Sequence, residues 1–120
     1  SWKDQPLLDQ GSLSNLRDVH EFGGPEAVLD LIETLETEFV GLVAGIEEAQ
    51  RGGDMATLGL NAHTIKGSSA NFGAMRLSKL AAALERWAKE GDDASIAETV
   101  PHLQGECAAA VAAFRSEFSL

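Results

Sequence analysis

A chain of 120 residues holds one ordinary domain and is too short for two, and its 44% hydrophobic content excludes disorder over most of its length. Nineteen acidic residues against nine basic ones give a formal net charge of −10. That balance argues against nucleic acid as a main partner, because its phosphates are met by clustered Lys and Arg.

No stretch approaches the roughly 20 apolar residues that span a bilayer, so direct membrane contact is not expected. The start, Ser1-Trp2-Lys3-Asp4, lacks the apolar run of a signal peptide. Cys107 is the single cysteine and sits in an apolar helical pattern, which points to a small core residue and a reducing, cytoplasmic setting. With five Phe, two Trp and no Tyr among abundant Ala and Leu, the composition favours helix over sheet.

Five helical segments follow in chain order. The first is short, near Ser12 to His20, with Leu13, Leu16 and Val19 recurring every third position and Ser12 as N-cap. Phe22-Gly23-Gly24-Pro25 breaks it, and Pro25 opens the second, Pro25 to Arg51. There Val28, Ile32, Leu35, Phe39, Leu42 and Ile46 form a stripe that predicts burial against other helices. Gly52-Gly53 ends it, and Asp54 caps a third helix from Met55 to Ala70.

A turn at Asn71 to Gly73 precedes the fourth helix, Met75 to Glu90, whose inner side carries Leu77, Leu80, Ala81, Leu84, Trp87 and Ala88. Gly91-Asp92-Asp93 stops it and caps the fifth. That last stripe runs from Ile96 through Val100, Leu103, Cys107, Val111 and Phe114 to Phe118, with Pro101 predicting a kink or short break near Thr99. The expected fold is all-α: an antiparallel up-down-up-down four-helix bundle with a short extra N-terminal helix covering one end. Residues 1–120 form one domain in this reading, with the core at about 8–118, and a monomer is expected.

The third helix carries the chemistry. On a wheel of about 100° per residue, Leu58, Ile65 and Phe72 fall opposite His63, flanked by Ala62 and Ser69. Around His63 lie Gly59, Lys66, Gly67 and Ala70. A helical Gly costs about 1 kcal/mol relative to Ala, so two of them bracketing one outward His are dear on stability grounds alone. They clear an approach to the imidazole, and Lys66 brings a mobile cation to it. A histidine in that setting suits a nucleophile receiving an anionic group, with phosphoryl the natural candidate.

The run Ala62-His63-Thr64-Ile65-Lys66-Gly67-Ser68-Ser69-Ala70-Asn71-Phe72-Gly73-Ala74, followed by the pair Leu84-Glu85, resembles the signature of histidine phosphotransfer (Hpt) domains of bacterial two-component phosphorelays. Helix order and turn placement extend the resemblance over roughly Leu8 to Phe118. It implies that His63 accepts phosphoryl through Nε2 and exchanges it with the aspartate of a response-regulator receiver domain or a hybrid sensor kinase. Lys66 then offsets phosphoryl charge, and Glu85 on the neighbouring helix orients His63 through Nδ1–H. Gly59, Gly67, Ser68 and Ala70 form the partner-docking surface, while Ser69 back-bonds to its own helix.

The chain has no G-x-x-x-x-G-K-[ST] loop, so it is expected to be a phosphotransfer protein rather than a stand-alone enzyme, without a kinase or nucleotide site. No cofactor or metal is expected on it; the resemblance puts Mg²⁺ on the partner receiver. His20 and His102 read as structural or incidental. The competing readings are a non-phosphorylated helical-bundle adaptor and a metal-carrying four-helix bundle, the latter weakened because no Glu-x-x-His pair occurs.

Overall fold

The computed structural model describes all residues 1–120 and contains four long helices and no strand. They are α1 (Ser14–Gly52), α2 (Met55–Asn71), α3 (Met75–Glu90) and α4 (Asp93–Glu117), preceded by 3₁₀ turns at Trp2–Asp4 and Gln10–Ser12. Contacts between neighbours run antiparallel: Ser68 of α2 reaches Glu38 of α1, Glu85 of α3 reaches His63, and Arg115 of α4 reaches Glu36. The predicted stripes are the core. Val28, Ile32, Phe39, Ile46, Leu58, Ile65, Leu77, Leu84, Leu103 and Phe114 are all almost completely buried. Each such side chain contributes roughly 1.5–3 kcal/mol relative to exposure.

The break predicted between the first two helices is present, as a kink that divides α1 into two helical pieces. α1 continues through His20 to Gly23, turns at Gly24 (φ 79°, ψ −178°), and resumes at Pro25. Both residues explain the turn: only Gly takes that backbone conformation cheaply, and Pro25 disfavours helical geometry in the residue before it. The bend matters for packing. Thirty-nine residues in a straight helix would span about 58 Å, more than the 44 Å long axis of the whole molecule. Bent back, the first turns of α1 cover one end of the bundle, burying Leu13 and Leu16.

Ser12 does not cap α1. The N-cap is Leu13, because the chain enters through a 3₁₀ turn and the Ser12 hydroxyl donates instead to Asp9 Oδ2 at 2.5 Å. The break predicted near Thr99 is also absent. α4 runs unbroken through Pro101, since Ile96, Val100, Leu103 and Cys107 on both sides of it are buried in one stripe and hold the helix together. Packing outweighs the lost hydrogen bond.

The segment before residue 13, for which the sequence predicts no helix, is fastened to the bundle. Trp2 is buried, belongs to the same 25-residue core cluster and lies beside His102, with ring centroids 5.8 Å apart. Arg76 Nε donates to the Gln5 carbonyl at 3.1 Å, and Asp9 N–H donates to the Gly73 carbonyl at 2.8 Å. Gly73 has φ +84°, and a Cβ there would press on Leu13 and on two backbone carbonyls at 3.0–3.2 Å. The α2–α3 turn therefore depends on glycine twice, for its backbone and for its neighbours. Cys107 is a core residue, its thiol pushed up to about 12 by burial first and by Glu106 second. No helix is long and apolar enough to cross a membrane.

Candidate functional site

α2 begins at Asp54, whose carboxylate accepts from Thr57 N–H at 3.1 Å and from the Thr57 hydroxyl at 2.6 Å. From that fixed start the helix turns Leu58, Ala62, Ile65 and Ser69 into the core. His63 is thereby directed outward, with 60% of its side chain exposed. Ser69 donates to the Ile65 carbonyl, the back-bond expected of a buried helical serine.

Across the α2–α3 contact, Glu85 binds two partners. One carboxylate oxygen lies 2.8 Å from His63 Nδ1, and the other accepts from Lys66 Nζ at 2.6 Å. Its side chain is only 15% exposed. The Lys66 bond is the largest of the causes that hold the Glu85 carboxyl below the ordinary glutamate range; the His63 bond adds to it, and together they outweigh desolvation. An ionised carboxylate can only accept, so the 2.8 Å contact requires the proton on Nδ1. In a neutral ring that leaves the lone pair on Nε2, across the ring from Glu85.

The two glycines beside His63 do different things. A Cβ on Gly59 would stand 3.4 Å from the Ala88 Cβ, so this glycine lets α2 and α3 approach closely as well as baring the surface. A Cβ on Gly67 would meet nothing within 4 Å. Ala70, one turn further, is exposed too. Ser68 is turned away from His63, its hydroxyl donating to Glu38 Oε1 of α1 at 2.9 Å. His63, Lys66, Glu85 and Gly59 thus come together, Gly67 and Ala70 extend the same bare face, and Ser68 belongs to the α1–α2 contact.

A shallow cleft of about 370 Å³ opens beside the imidazole, bounded by Met55, Leu60, Ala88 and Lys89. Leu60 and Lys89 were not singled out from the sequence. Both were within reach: Lys89 is one turn after Glu85, and Leu60 lies about 60° from His63 on the wheel. Ser78 was also missed; its hydroxyl donates to the Lys66 carbonyl at 3.3 Å. No three His, Cys, Asp or Glu side chains converge as a metal-ligand set. His20 lies against Phe118 and His102 against Trp2 in tilted ring contacts, and neither has the carboxylate partner that His63 has.

A family model for the Hpt domain matches residues 28–115, which include most of the four-helix core and the whole His63 cluster. The chain belongs to the Hpt-domain family. Among solved structures, this Hpt domain is similar to histidine-containing phosphotransfer protein B (HptB) from Pseudomonas aeruginosa PAO1. That match has a TM-score of 0.82 and 26% identity over 97% of both chains. No curated protein matches the sequence. An Hpt domain is a phosphotransfer protein of a phosphorelay.

Proposed function

We propose that His63 is the phosphoacceptor and that the domain exchanges phosphoryl with the aspartate of response-regulator receiver domains, free-standing or within a hybrid sensor kinase. The observation that carries this reading is the outward His63 with Nδ1 engaged by an ionised Glu85. The Nε2 lone pair attacks phosphorus of the aspartyl phosphate. The Nε2–P bond forms as the acyl O–P bond breaks, and the electron pair leaves with the aspartate carboxylate. No proton need move: the ring keeps its Nδ1–H, and the positive charge that grows on it is met by Glu85 at 2.8 Å.

Lys66 has a flexible stem and swings between Glu85 and the incoming phosphoryl oxygens. Gly67 and Ala70 leave the space that the receiver's loops occupy. Mg²⁺ and the catalytic carboxylates belong to the receiver, and the relay runs in the cytoplasm. The test is transfer of ³²P from phosphorylated receiver domains of the host organism. Wild type should gain acid-labile, base-stable label, and His63→Gln should gain none. Equal labelling of the variant, or no label on wild type from any receiver, would end this reading.

A further inference from the structure

The net charge of −10 is unevenly spread. α2 and α3 hold five of the nine basic residues, Lys66, Arg76, Lys79, Arg86 and Lys89, but only two of the nineteen acidic ones, Glu85 and Glu90. α2 contains no Asp or Glu at all. The pair is therefore net +3, and the rest of the chain net −13.

The cations also share one side. With Glu85 at zero, Lys89, Arg86 and Lys79 follow at about 40°, 100° and 120° around α3, away from the buried Leu77, Leu80 and Leu84. All three are exposed, and Lys89 borders the same cleft as His63. Lys79 and Lys89 make no ion pair; Arg86 reaches Glu90 only at 3.9 Å, with both side chains more than half exposed, a pairing worth little. Arg86 also lies over the Trp87 ring at 5.6 Å, while the two lysines are uncommitted within the fold. Leu60, which lines the same cleft as His63 and Lys89, is 66% exposed on a helix otherwise bared by small residues.

We propose that this face is an electrostatic docking surface for an acidic partner, the phosphoryl-bearing, carboxylate-lined mouth of a receiver domain. Lys79, Arg86 and Lys89 steer it, and Leu60, in the His63 cleft, is an apolar contact at its edge. The proposal rests on the phosphotransfer reading of His63. The remaining surface acts in the opposite sense: at net −13 it repels an acidic partner in every orientation except the one that brings it to the imidazole. Steering of this kind acts on encounter rather than on chemistry, and it weakens with salt because the Debye length is only about 8 Å at physiological ionic strength.

The experiment measures phosphoryl transfer from labelled receiver domains across a salt series, for wild type, K79E/R86E/K89E and R51E. Arg51 is exposed, makes no ion pair and belongs to α1 rather than to α2 or α3, so R51E is the charge control. Wild-type kcat/KM should fall steeply with salt. The triple variant should lose about tenfold or more at low salt, with a flattened or inverted salt slope, while kcat at saturating receiver changes far less. R51E should stay near wild type. Should the triple reversal fail to fold, K79Q/R86Q/K89Q reads the same slope with an intermediate loss. Wild-type kcat/KM and salt slope in the folded variant, or equal harm from R51E, would overturn the docking face. Absence of label on wild type at every salt is a different result, and it overturns the phosphotransfer reading itself.

Discussion

The α2–α3 pair and the α1–α4 pair are built from the same apolar stripes, yet they finish differently at the surface. Between α2 and α3, Gly59 and Ala88 bring the backbones close, and what emerges is one bonded cluster of His63, Lys66 and Glu85 on a face with few acids. Between α1 and α4 the outer seam stays open, a groove of about 260 Å³ floored by Phe39, Val43, Cys107 and Val111 and edged by Glu36 and Glu47. α1 and α4 supply both fully buried phenylalanines, Phe39 and Phe114, and most of the negative charge. The contrast teaches that the exposed His63 cluster and the largest buried rings sit on different helix pairs, so each can be damaged separately.

The largest effect is expected from the supporting pair. Phe114→Ala in α4 removes a fully buried ring and should cost about 3–5 kcal/mol in chemical denaturation. Transfer per folded molecule should stay near wild type. A transfer defect larger than the loss of folded protein would mean that the two pairs are coupled. Next comes Glu85→Ala, which should slow transfer by about tenfold to hundredfold, the worth of one charge-assisted hydrogen bond of about 1.5–3 kcal/mol. Ring-nitrogen NMR should show His63 losing its preference for Nδ1–H, and Glu85→Gln, which can still accept from Nδ1, should recover part of it. A tautomer balance unchanged by Glu85→Ala would remove the orienting role.

The smallest effect concerns pH. Glu85 titrates below the ordinary glutamate range in the folded protein, chiefly through Lys66, so its ionised form favours the native state. That contribution is complete above the unfolded-state titration and disappears as pH falls through the lower, native one. Denaturation of wild type and Glu85→Gln at neutral and acid pH should show a stability gap that closes in acid. A gap that widens there would reverse the sign assigned to Glu85.

Much of this is legible in the amino-acid sequence. The stripes of α1, α3 and α4 fix which faces are buried, because period 3.6 is imposed by the helix itself. His63 reads as outward for the same reason, and the motif from Ala62 to Ala74 points to Glu85 as its neighbour. What escaped depends on partners distant in sequence. Trp2 looks like part of a tail until it meets His102, a hundred residues on. Pro101 looks like a break until the buried residues flanking it are seen to carry α4 through it unbroken. Lys66 reads as a cation aimed at phosphoryl, but at rest its ammonium is bound to Glu85. That pairing joins two helices and has no local signature.

Gly67 carries a consequence for engineering. Nothing in the fold lies within 4 Å of where its Cβ would be, and an alanine there would gain up to about 1 kcal/mol of helix stability. A selection for thermostability alone would fill this position early and keep the substitution, since no folded-state contact opposes it. The resulting protein would survive heat better while its imidazole became harder to approach. Any campaign to harden this scaffold therefore needs turnover in its screen, because melting temperature alone rewards the loss of the bare patch.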